Sequence, residues 1–160
     1  MERKNTKLLV HASFIAAIYV ILTYLATLSG LSSGVIQVRF SEMLTVLPIF
    51  TPAAIPGLFV GCLLSNILSG CVVWDVIFGS LATLIGALGT HLLRKRKYLA
   101  PIPPIVANTV IVPFVLRYAY GASGSLGYFM ITVGIGEIIS CGVLGIVLIK
   151  ALEKNTRIFS

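Results

Sequence analysis

Charged and amide side chains are scarce in this chain, so their placement is the first thing to explain. The stretch VIQVRFSEMLTVLP, residues 35–48, puts Arg39 and Glu42 three apart at the mouth of an apolar run. Asp75 follows Trp74 at the start of a later apolar segment. Asn66 and Asn108 sit inside two others. Glu137 lies about eleven residues into the last segment, roughly 16 Å deep at 1.5 Å per residue. A carboxylate at that depth in lipid costs several kcal/mol unless paired or hydrated, and marks a functional site by default. These groups converge on one cavity that opens to the outer face, with Tyr118, Tyr120 and Tyr128 around its mouth.

Each group also has a plainer reading. Glu42 suits a helix N-terminus, with Ser41 as its cap. Asp75 suits an N-cap. Arg39 and Glu42 can form a simple ion pair that orders the loop. Trp74 and the tyrosines can form an interfacial aromatic belt.

Other chemistries lack their residues. Cys62, Cys71 and Cys141 are scattered through apolar segments with no C-x-x-C, and small buried packing residues are the natural reading. His11 and His91 sit at helix ends beside basic residues. No nucleophile–base pair, catalytic triad or metal-ligand spacing stands out, so no catalytic residue, metal or cofactor is expected. The phosphate-binding pattern G-x-x-x-x-G-K-[ST] is absent, so the chain does not burn ATP alone.

The elements that position these residues follow from composition. The chain is 58% apolar and 11% charged, against about 25% charged in a soluble domain. That is an integral membrane protein, all-α, in one membrane domain over 1–160. The leading MERKNTK resembles a signal-peptide n-region. The apolar run behind it is too long for an h-region, so it reads as a retained span. Apolar segments run over 8–28, 41–55, 57–71, 75–93, 101–118 and 126–152, broken by SGLSSG, TPAAIPG, RKRK and GASGSLG. VIQVRF is β-like in composition but short enough to be an ordered loop.

Six spans put both termini on one side. Ten of the twelve Lys and Arg then share that side, which must be cytoplasmic, and Arg39 and Arg117 remain outside. The net charge of +7 thus has a topological cause and needs no nucleic acid. Ala12 and Ala16 form an A-x-x-x-A pair that lets another helix approach closely, in this chain or in a partner.

A six-helix chain with an A-x-x-x-A first helix resembles the substrate-binding (S) components of energy-coupling-factor (ECF) transporters. QVRFSEMLTVLP followed by TPAAIPGLFVGCLLSN resembles the QueT group of that family, associated with uptake of queuosine precursors, which are 7-deazaguanines. The resemblance implies a multi-pass protein of a prokaryotic plasma membrane. It would bind its solute from outside and work with a coupling membrane subunit and two ATPases. The S component would topple in the membrane to deliver the solute, and Ala12 and Ala16 would face the coupling subunit. The loop 29–41 would then close as a lid, with Arg39 holding Glu42. Glu137, Asn108, Glu42, Trp74, Arg39, Asn66 and Asp75 would contact the ligand. A carboxylate accepts from the adjacent N–H groups of a 7-deazaguanine, an amide pairs with its carbonyl, and an aromatic ring stacks on it. An S component for another vitamin-like solute and a stand-alone secondary carrier are the alternatives.

Overall fold

The computed structural model describes residues 2–31 and 36–154, with side chains from residue 5 onward. Residues 32–35 of the expected lid, and Arg157 of the C-terminal basic group, lie outside the described residues. No strand occurs among those described, so the β-like VIQVRF motif contributes no sheet there.

α1, Glu2–Leu28, runs without Gly or Pro and stops at Gly30. Gly30 takes φ +72°, and bonds from Gly30 N to Thr27 O and from Leu31 N to Ala26 O close a Schellman cap. α2, Ala54–Leu68, ends the same way at Gly70, with Gly70 N on Ile67 O and Cys71 N on Asn66 O. α3 spans Val73–Leu92. α4, Ile102–Phe114, opens on prolines whose missing N–H groups cost nothing in a first turn, and passes into a π turn, Val115–Ala119, just after Pro113. α5, Leu126–Glu137, is capped by the Ser125 hydroxyl, which accepts from Tyr128 N. It continues through a π segment, Ile138–Leu144, into α6, Gly145–Glu153.

The second apolar segment differs most from expectation. In place of an α-helix over 41–55 there is a 3-10 helix, Phe40–Ile49. Pro48 lies inside it and has no N–H for an α-helical bond. A 3-10 helix rises about 2.0 Å per residue, so these ten residues reach about 20 Å. Ser41, Glu42, Leu44, Thr45, Val46, Leu47 and Pro48 are all buried. The segment is the central strut of the bundle, touching α1, α2, α3, α6 and the π segment.

Four helical stretches are long and apolar enough to cross a membrane: Asn5–Leu28, Val73–Leu92, Lys97–Ala119 and Leu126–Glu153. Phe40–Ile49 and Ala54–Leu68 are shorter apolar helices. At one end of the bundle His91 Nδ1 lies 2.8 Å from the Pro48 carbonyl. There Lys97 pairs with Glu153 at 2.9 Å, with its ammonium 6.0 Å from the Phe50 ring centre.

α1 and α2 meet through small residues. A Cβ on Gly57 would stand 3.2 Å from Ala12 Cα. One on Gly61 would stand 3.1 Å from Ala16 Cα and 2.8 Å from Tyr19 Cβ. The A-x-x-x-A pair is therefore matched by a G-x-x-x-G pair in the same chain. Ala16 is buried and Ala12 half-buried against α2, so the close approach this pair permits is made within the chain. The face that α1 leaves exposed carries Leu9, Phe14, Ile21 and Tyr24.

Close approach makes Gly61 intolerant of a side chain. Gly61→Leu should destabilise the detergent-solubilised chain by about 1–3 kcal/mol. Gly127→Ala, where nothing lies within 4 Å of the new Cβ, should be neutral or slightly stabilising. Thermal unfolding of the two variants side by side checks this.

Candidate functional site

Glu42 sits near the start of the 3-10 strut with 2% of its surface exposed, and Glu137 at the end of α5 with 7%. Both acids need partners in this apolar bundle. The Tyr19 hydroxyl, from α1, donates to Glu42 Oε1 at 2.5 Å. The Asn108 amide, from α4, donates to Glu42 Oε2 at 3.5 Å. The Cys141 thiol, one turn beyond Glu137, donates to Glu137 Oε2 at 3.1 Å. Ligand atoms of Glu42, Glu137 and Cys141 all lie within 4.8 Å of one another.

Local backbone geometry makes this gathering possible. The 3-10 turn sets Glu42 and Thr45 on one face, and the Thr45 hydroxyl donates to the Glu42 carbonyl at 2.6 Å. The π segment that follows Glu137 turns Ser140 and Cys141 inward, where both are buried. Ser140 Oγ accepts from Arg39 N at 3.1 Å, which ties the loop before the strut to this segment. Gly136 lets the same loop in: a Cβ there would collide with the Gln37 carbonyl oxygen. The Ser41 hydroxyl accepts from Thr23 Oγ1 at 2.8 Å, so α1 holds the strut at two successive turns.

A second polar group lies apart from the first. Asn66 Nδ2 donates to the Asp75 backbone carbonyl at 3.4 Å, and the Tyr120 hydroxyl donates to Asp75 Oδ2 at 2.8 Å. Burial, then the hydrogen bond to Asp75 and its charge, push the Tyr120 phenol well above its ordinary pKa. The Arg39 guanidinium is within electrostatic reach of both Asp75 and Glu42.

The residues expected from sequence therefore divide. Glu42, Glu137 and Asn108 come together as one cluster, and Arg39 is within electrostatic reach of Glu42 in it and of Asp75 in the other group. Arg39 does not pair directly with Glu42. Among the described residues the ion pair within 4 Å is Lys97–Glu153, and Tyr19 and Asn108 hold Glu42 instead. Trp74 is 58% exposed and stacks on Phe78 with ring centres 5.9 Å apart. It lines an apolar groove of about 380 Å³ with Val110, Phe114 and Tyr118. That places Trp74 among groove residues instead of beside the acids. Arg117 turns to the Gly124 carbonyl in the loop before α5. Tyr19 was not singled out from sequence, yet it makes the shortest bond in the site. Its signal was its place on the stripe of Ala12, Ala16, Thr23 and Ala26, which faces the protein.

Removing that hydroxyl leaves a buried carboxylate oxygen short of a donor. Tyr19→Phe should lower stability by about 1–3 kcal/mol with little change in packing volume. Denaturation in mild detergent against wild type measures it, and an unchanged midpoint would show that Glu42 finds another donor.

Comparison with known proteins bears on what such a site serves. The family model described as QueT transporter matches residues 9–154. A protein of Lactococcus lactis subsp. cremoris (strain MG1363), named queuosine precursor transporter QueT, is 44% identical over 98 residues. That alignment covers 61% of this chain and 57% of the relative, so the chain matches a little over half of that protein's length. No solved structure matches. The matching family consists of transporters and not enzymes, which agrees with the several apolar helices of a multi-pass membrane protein. With nearly its whole length matched, the chain belongs to the QueT transporter family.

Proposed function

We propose that this chain is the substrate-binding membrane subunit of an ECF-type importer. It binds a queuosine precursor, a 7-deazaguanine, from outside a prokaryotic plasma membrane, and a coupling subunit and two ATPases drive the uptake. The observation that carries the reading is the buried Glu42–Asn108–Glu137 cluster inside an otherwise apolar bundle. Such a cluster offers carboxylate acceptors to the N–H groups of a 7-deazaguanine, and Asn108 offers an amide to its carbonyl. The relative's name supplies the solute class. Copurification of a tagged chain with coupling and ATPase subunits tests the assembly. Recovery of the chain alone from a host expressing all four would remove it.

The topology that goes with this reading has six crossings and cytoplasmic termini. In it the two short helices, Phe40–Ile49 and Ala54–Leu68, run antiparallel between α1 and α3. The contacts of Pro48 with His91 and of Lys97 with Glu153 support it, because they gather the ends that must share the inner face. The loop 36–39 and the Asp75–Tyr120 pair then fall toward the outer face, where the solute enters. Reporter fusions at Ser160 and between Lys97 and Leu99 should both read cytoplasmic, and an outside signal from either would invert the site.

Within the site Glu137 provides the main ligand contact, because both Glu42 oxygens already have donors from the protein. Glu137→Gln keeps the shape but turns one acceptor into a donor that opposes the ligand's own donors. Loss of a charge-assisted bidentate contact should cost roughly 2–4 kcal/mol, about 30- to 1000-fold in affinity. Isothermal titration of the purified chain measures this, and an affinity within about threefold of wild type would pass the role to Glu42 or Asp75.

A further inference from the structure

We propose that the turn between α3 and α4 is a binding site for an anionic phospholipid. Lys95 and Arg96 would hold its phosphodiester headgroup, and Tyr98 and Leu99 would meet its glycerol and acyl carbons. None of these residues belongs to the buried acid cluster, and the proposal is independent of the solute the chain carries. α3 stops at Leu92, and the next long apolar stretch starts at Lys97. Four residues thus join two candidate spans, which keeps the turn at the membrane surface. The turn is also fixed in shape. Arg96 N donates to Leu93 O at 2.7 Å and Leu99 N to Arg96 O at 2.9 Å. The Thr90 hydroxyl donates to the Ala100 carbonyl at 2.8 Å, which fastens the end of the turn back onto α3. A ligand meeting such a loop has less to order on binding.

The basic side chains here are not all alike. Arg94 meets His91 Nε2 at 2.8 Å, and Lys97 is paired with Glu153 at 2.9 Å. Lys95 and Arg96 are exposed, and among the described residues neither has an ion-pair partner within 4 Å. The Lys97–Glu153 pair also brings the end of α6, with Lys150 and Lys154, to this turn. Positive charge alone would suit any anion; the apolar side chains favour a lipid. Leu92 is 82% exposed and Tyr98 61%, and Leu99 and Ile102 are exposed as well. Lys95, Arg96, Lys97, Tyr98 and Leu99 line a hollow of about 450 Å³. A guanidinium can give a phosphodiester two parallel N–H bonds, and basic pockets at helix ends suit acidic headgroups. The acyl carbons then continue onto side chains that an acidic protein surface would leave against charge.

The test follows the thermal midpoint of the full chain in neutral detergent, at about 0.15 M salt to screen long-range attraction. Dioleoylphosphatidylglycerol at about ten times its Kd should raise the midpoint by about 3–6 °C, and dioleoylphosphatidylcholine by less than about 1 °C. Lys95→Ala with Arg96→Ala should leave the lipid-free midpoint unchanged and remove most of the rise. Lys150→Gln with Lys154→Gln takes the same charge from the same end and should keep most of it. Equal rises with the two lipids would overturn the proposal. So would equal losses in the two double variants, which would mark a diffuse surface potential in place of a site. The same rise with inorganic phosphate alone would make this a site for a free anion and would overturn the lipid assignment.

Discussion

A carboxylate buried in the centre of an apolar bundle is the constraint on which the rest of this structure depends. Glu42 cannot be left without donors, and its own segment supplies none to its side chain. The donors come from α1 and α4, so these two helices and the strut must keep one mutual register. The glycines of α2 hold α1 near enough for Tyr19 to reach inward. The hydrogen bond and the packing are thus one requirement: a wider α1–α2 spacing would draw the phenol off the carboxylate. Breaking a buried charge–donor contact is more destabilising than the contact is worth, because the remaining partner stays buried.

The backbone leaves regular α-helix where polar groups must be aimed. The strut is 3-10 throughout, α4 ends in a π turn before Tyr120, and α5 loosens into a π segment just after Glu137. In lipid, unusual backbone is tolerated when protein surrounds it, and the strut meets that condition with seven of its ten residues buried and none exposed. A 3-10 run of ten residues has poorer hydrogen-bond geometry than an α-helix and is uncommon at this length. Its position beneath the loop 36–39 relates it to the site, since loop and strut share the π segment as a neighbour through Arg39–Ser140 and Thr45–Cys141.

How much of this could be read from sequence follows from what each signal depends on. Glu137 and Asn108 were legible because depth in an apolar segment is a matter of counting, and a buried acid in lipid has few innocent roles. Glu42 was legible as a charge at the head of an apolar run, but its partner was not. Arg39 is nearer in sequence, whereas Tyr19 and Asn108 reach it across the bundle. Tyr19 was passed over because a tyrosine in an apolar helix looks like a lipid-facing aromatic until its stripe is traced. Trp74 was legible as an aromatic able to stack on a ring, but not its setting: it lines the apolar groove, since adjacent helical residues point about 100° apart and Asp75 turns to Tyr120. The 3-10 character of the strut was signalled by Pro48, inside the run read as helix over 41–55. A proline alone does not say whether a helix kinks, ends or tightens. Burial on every side decided it.

The two polar groups take their donors from different parts of the structure. Asp75 takes its hydroxyl donor from Tyr120, an exposed residue beyond the end of α4, and Asn66 holds the backbone at the same level. This group fastens the ends of α2, α3 and α4 to one another. Glu42 and Glu137 take their donors from helices packed inside the bundle. Arg39 is within electrostatic reach of both groups and is anchored by its own backbone N–H on Ser140. A displacement of the loop would therefore change the field at both groups together. The placement of the loop and the charge at both groups are thus linked through the Arg39–Ser140 bond to the π segment.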